Sequence, residues 1–145
     1  MSELNDRIKE KRKERWLEVW FSIEALAIQK DVVENAMKKH VEKMSNIRDI
    51  FVYEQEMTDA IEVEKPMKNV EKAYSQIAKV KFFAKNLTTL ISVVLTYGPS
   101  AIEVIGPDKY DIKIDEIQSI ANLLAGVVHN FAAAGIGGII ITPDK

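Results

Sequence analysis

The chain has 145 residues, 47% of them hydrophobic and 29% charged, with a formal net charge of −2 at pH 7. That length suits one domain with its own core, and near-balanced charge supplies no global field toward nucleic acid or an acidic surface. There is no cysteine, so disulfides, thiolate catalysis and sulfur-ligated metals are excluded, while the compartment stays open.

The first residues carry Glu3, Asp6 and a run of Lys and Arg with no apolar stretch behind them, which reads as no secretory signal. No apolar run approaches the ~18–20 residues that span a bilayer. The expectation is a soluble, cytoplasmic protein without a membrane partner, with residues 1–15 as a charged N-terminal arm and 16–145 as a single domain. Arg7, Lys9, Lys11, Arg12, Lys13 and Arg15 make the arm basic, and Glu3, Asp6, Glu10 and Glu14 are interleaved. Such mixed spacing reads as a solvated helix or a partly disordered arm; the functional alternative is a phosphate or RNA contact.

From Trp16 the period changes to two. Leu17, Val19, Phe21, Ile23, Ala25 and Ala27 alternate with Trp16, Glu18, Trp20, Ser22 and Glu24, predicting a strand with one buried face. Trp16, Trp20, Ile23 and Ala27 also fit a helix, so that alternative stays open here. Asp31 is placed to cap a helix reaching about Met44, with Val33, Ala36, Met37, Val41 and Met44 on one stripe. His40 lies on that stripe without a second ligand one turn on, which reads as a core-edge histidine rather than a metal ligand.

Ile50–Tyr53 restores strand composition, with extended chain expected to about Val63. Glu54 and Glu56 share one face of it, followed by Asp59, Glu62 and Glu64. Paired carboxylates can hold a hard cation or transfer protons, but with no third ligand type beside them a solvated face is the reading. Residues 64–69, with Pro66, read as a connection. The clearest alternation follows: Tyr74, Gln76, Ala78, Val80, Phe82 and Ala84 against Ser75, Ile77, Lys79, Lys81, Phe83 and Lys85. It predicts a long strand antiparallel to its predecessor. Lys79, Lys81 and Phe83 would then share a surface of the kind that binds single-stranded RNA, or pair across strands with the acidic neighbour.

Asn86 is a predicted N-cap for a helix over Leu87–Tyr97, and Gly98 followed by Pro99 is its stop. A short strand, Ala101–Ile105, and the turn Gly106-Pro107-Asp108 lead to a last helix expected to start at Asp115, where Asp115 and Gln118 match a capping box. Its core stripe is Ile117, Ile120, Leu124, Val128 and Phe131. The other side carries Gln118, Asn122, Gly126 and His129, which are small or polar but uncharged, unlike a usual solvent face. These four are the candidate ligand or interface residues. The glycines at 135, 137 and 138 precede a short apolar strand, the reverse of the order that cradles phosphate, so they read as a tight turn.

Taken in order, the elements give an α+β, ferredoxin-like split β-α-β sandwich: an antiparallel sheet with helices on one face, plus an extra C-terminal helix and short strand. The other sheet face would show Trp16, Trp20, Ile77 and Phe83, a patch that a partner normally covers, hence a homo-oligomer. The run Tyr97–Pro107 together with Val128–Gly135 resembles a family of small uncharacterised archaeal α+β proteins. Helix, Gly-Pro, strand, Gly-Pro also looks like the C-terminal ligand-sensing extension of bacterial WYL-domain regulators, although no helix-turn-helix pattern is legible ahead of it.

Three readings follow. The first is a non-enzymatic, homo-oligomeric module, regulatory or otherwise, that binds a small ligand or a protein. The second is RNA binding through Lys79, Lys81 and Phe83. The third is an enzyme using His129 or His40 with Glu54, Glu56 or Glu103. No catalytic residue, metal ligand or cofactor is assigned.

Overall fold

The two clearest period-two runs become the two central strands. In the computed structural model, which describes residues 2–135, β1 (Leu17–Ala27) and β4 (Val70–Ala84) pair antiparallel along the whole of β1, from Leu17 opposite Ala84 to Ala27 opposite Tyr74. The strand alternative for residues 16–28 is therefore the one the chain adopts. The glycine turn beyond Gly135 and the C-terminal strand lie outside the described residues. The described chain falls into two compact units, one ending at Tyr110 and the other starting at Asp111.

The first unit opens with α1 (Ser2–Lys13), followed by β1, α2 (Lys30–Ser45), β2 (Ile50–Met57), β3 (Ile61–Met67), β4, α3 (Leu87–Tyr97) and β5 (Ala101–Gly106). The class is mixed α+β, with a five-stranded antiparallel sheet ordered β2-β4-β1-β5 and β3 also paired to β4. The extended run expected over 50–63 is two strands: β2 pairs with the second half of β4 and β3 with the first half. Thr58 marks the break. Its N–H donates to the Ile77 carbonyl at 2.9 Å, and its own carbonyl accepts from Gln76 Nε2 at 3.0 Å. The predicted connection at 64–69 shrinks to the turn at Lys68-Asn69, because β3 runs on through Pro66 to Met67, opposite Val70.

One sheet face carries the core. Leu17, Val19, Phe21 and Ile23 meet Ala78, Val80, Phe82 and Ala84, under Met37, Val41 and Met44 of α2 and Leu90 and Val93 of α3. Phe21 and Phe82 touch edge to face with centroids 4.7 Å apart, a geometry that adds about 0.5–1.5 kcal/mol to the area they bury. Asn86 caps α3 as expected, Oδ1 accepting from Thr89 N–H at 2.9 Å, and Gly98 closes it at φ 52. The predicted cap of α2 differs. Gln29 occupies that position without a side-chain bond, and Asp31 sits in the first turn, where its negative charge complements the positive end of the helix dipole. His40 is a core-edge residue, its ring 4.6 Å from that of Tyr97.

The second unit contains α4 (Ile114–Ala133), 20 residues long, none of them buried. It starts one residue before the predicted cap, so Asp115 lies in its first turn and takes the Glu116 N–H at 3.0 Å. Ile114, Ile117, Leu124, Val128 and Phe131 are all exposed along it.

Candidate functional site

The sheet face away from α2 and α3 holds the most chemically specific cluster among the described residues, and α1 supplies its cation. Glu18 lies on that face with only 6% of its surface exposed. A carboxylate withdrawn from water that far must be compensated. Arg12 does so with two bonds of 3.0 Å, Nε to Oε1 and Nη2 to Oε2, and Tyr53 donates its hydroxyl to Oε2 at 2.7 Å. The Arg12 bonds hold Glu18 below the usual carboxylate range despite its burial, and Arg12 is raised in turn by the same pair. Burial pushes the Tyr53 phenol up first, and its bond to the Glu18 carboxylate adds to that.

Two register breaks aim these groups. Val52 opposes Phe82 while Glu54 opposes Lys81, so Tyr53 is the extra residue of a bulge and reaches Glu18 instead of joining the alternation. On the other flank, Glu18 opposes Gly106 while Val19 opposes Val104, leaving Ile105 as the extra residue on β5. Glu18 thus stands between two bulged strands.

Helix α1 is fixed to the same face. Arg7 lies 4.1 Å above the Phe51 ring, and Lys11 Nζ lies 4.0 Å above Trp16, contacts worth about 0.5–2 kcal/mol each. The arm is therefore an ordered helix with most of its charges in solvent and three cations committed to the sheet. Its end is a left-handed cap: Trp16 N–H bonds the Lys11 carbonyl and Arg15 N–H the Arg12 carbonyl, both at 3.1 Å, with Arg15 at φ 63.

Beyond Glu18 the face opens into a cavity of about 560 Å³, walled by Arg12, Arg15 and Trp16 from the α1–β1 junction and by Gly106–Lys109 after β5. Arg15 Nη2 donates to the Lys109 carbonyl, tying the two walls together. Among the described residues neither Arg15 nor Lys109 has an ion-pair partner. The cavity therefore offers two uncommitted cations, the fixed Arg12 guanidinium and an indole, against Asp108 and the already paired Glu18. That arrangement can hold an anion; it presents no nucleophile beside a base.

The residues singled out from the sequence are placed differently. Gln118 Nε2 donates to Asn122 Oδ1 at 3.2 Å on the exposed surface of α4, and Gly126 and His129 follow, exposed, further along the same helix. Phe83 is fully buried, its ring 5.1 Å from Tyr53 and 6.3 Å from Phe51, and so has no face free for a base. Lys81 pairs with Glu54 at 3.2 Å, and exposed Lys79 stands opposite Glu56, the cross-strand alternative. No three of His, Asp or Glu gather as a metal site would need among the described residues. Glu18, Tyr53 and Lys109 were missed, while Arg15 stood among the basic residues of the arm for which a phosphate or RNA contact was the functional alternative. The available signal was Trp16 and Glu18 on the polar face of a strand just after Lys11, Arg12 and Arg15.

Residues 18–136 match the MJ0538 family, which is named after an uncharacterised archaeal protein, and the chain belongs to that family. No curated protein matches it. No helix among the described residues is long and apolar enough to cross a membrane.

Proposed function

We propose that the chain is a non-enzymatic binding module that works in the cytoplasm as a homo-oligomer. The observation that supports assembly is α4. A helix of 20 residues with none buried and Gly126 at its middle lacks the packing that stabilises helices in water. Ile117, Ile120, Leu124, Val127 and Phe131 follow one another at alternate steps of three and four, the a and d spacing of a helix that pairs with another helix. From Ile117 to Gly135 there is no Asp, Glu, Lys or Arg, so nothing in the stripe repels a second copy of itself. The occupant we assign is the same helix of another chain.

Light scattering coupled to size exclusion tests this on the full chain. The expected result is a defined oligomer that Leu124→Glu reduces to monomer while the circular dichroism of the sheet unit is retained. A wild-type monomer at micromolar concentration overturns it. The finer topology belongs to the same proposal. Strands β1 and β2 flank β4, with α2 between them in sequence, and β4 and β5 flank β1, with α3 between, which supports a split β-α-β reading with β3 as an added strand. A crystal structure with another strand order would remove it. RNA on the sheet face gains no support, because Phe83 is buried and Lys81 is paired.

A further inference from the structure

From the cavity between the α1–β1 junction and the end of β5, we infer that this chain binds a mononucleotide, its phosphate on Arg15 and Lys109 and its base against Trp16. The inference rests on the binding-module reading and is independent of the assembly through α4.

Arg15 occupies a backbone conformation that costs an L residue about 1 kcal/mol and that glycine adopts freely. An arginine there holds its side chain at the mouth of the cavity, and the structure shows what it does. One N–H is fixed by the Lys109 carbonyl, and the guanidinium keeps further donors that no carboxylate among the described residues takes. Guanidinium donors held in a fixed fork match phosphate oxygens. Lys109, also without an ion-pair partner among the described residues, adds a second positive charge on the facing wall.

Of the two carboxylates in the lining, Glu18 is neutralised by Arg12 and Tyr53, so Asp108 is the one left to oppose an anion. Two free cations against one free carboxylate favour a single phosphate group over a polyphosphate. The half-buried Trp16 lines the cavity beside the cations, and Lys11, 4.0 Å over one face of its ring, is not part of that lining, which leaves the indole as the apolar wall. A volume of about 560 Å³ falls within the range of small-molecule sites and takes a base, a sugar and one phosphate. Base–indole stacking is tolerant of base identity and worth about 1–3 kcal/mol.

The test is a titration of the full-length chain carrying Trp20→Phe, so that Trp16 is the one fluorophore of its kind, with adenosine monophosphate, adenosine and inorganic phosphate as separate probes. Saturable quenching by the monophosphate is expected, with adenosine and phosphate each at least about tenfold weaker and affinity falling as salt is raised. Arg15→Gln and Lys109→Gln should each weaken the monophosphate about tenfold. Arg15→Gly, which suits the left-handed backbone, should keep the thermal transition and lose the ligand. No saturable binding, equal binding of phosphate alone, or wild-type affinity in both Arg15 variants overturns the inference. The oligomer mass measured on the same samples reports separately on assembly, so failure of one reading is not mistaken for failure of the other.

Discussion

Replacing Arg12 by Gln asks how much the sheet depends on the α1 guanidinium. The change removes both 3.0 Å bonds to Glu18 and leaves that carboxylate, 6% exposed, with the Tyr53 hydroxyl. Two charge-assisted bonds to a buried acceptor would be worth several kcal/mol, but the Arg12 side chain is itself 57% exposed and screened by water. The expected net loss is therefore about 1–2 kcal/mol, or roughly 4–16 °C in the thermal transition of a unit of this size. The pH dependence fixes the cause. Glu18 is held below its ordinary value mainly by Arg12, so its contribution is complete above the unfolded carboxylate value and is lost as pH falls through the lower folded one. Without Arg12 the largest cause of that depression goes, while burial, which favours the protonated carboxyl, stays. Urea unfolding followed by circular dichroism should show the full deficit of the variant near neutral pH and a shrinking deficit in acid. An equal deficit at both pH values, or none at neutral pH, would refute the coupling.

Two further changes probe the frame that holds the site. Asn86→Ala removes the cap bond to Thr89 N–H and should cost about 1 kcal/mol by urea unfolding, with Asn86→Asp retaining most of it. Phe82→Ala, at a fully buried ring packed on Phe21, should cost about 3–5 kcal/mol and leave a thermal transition lowered well beyond that of Asn86→Ala.

Much of the sheet was legible because its central strands alternate without interruption. Leu17 to Ala25 and Ala78 to Ala84 put only apolar residues on the core face at every second position, and the register follows from burying that face. The α3 boundaries were legible for a different reason. Asn86 and Gly98 each do a local job that few residues can do, an acceptor for a free N–H and a left-handed backbone. The break at Thr58 was not legible, since it depends on hydrogen bonds to Ile77 and Gln76, which lie 19 and 18 residues away in the chain. Nor was the docking of α1. Only Leu4 and Ile8 are apolar in its body, and the helix is held by Arg7 on Phe51 and Arg12 on Glu18, contacts that leave no hydrophobic period to read.

The candidate site was hidden by the same physics that builds it. Periodicity assigns a face to each residue only while the register is unbroken, and around Glu18 it is broken on both sides, at Tyr53 on β2 and at Ile105 on β5. The α1 terminus adds a third irregular residue, Arg15, at φ 63. Each departure is a single residue, invisible against the longer alternations, yet each turns a side chain or a backbone segment toward one corner of the sheet. Regular strands would place their polar groups in separate rows facing solvent. The bulge instead gives the Tyr53 hydroxyl to Glu18, Glu18 fixes Arg12, and the junction after α1 brings Arg15 to the cavity, bonded to the Lys109 carbonyl. A charged pocket built this way is set by where the backbone departs from its pattern, and those departures become visible only once the strands on either side are known.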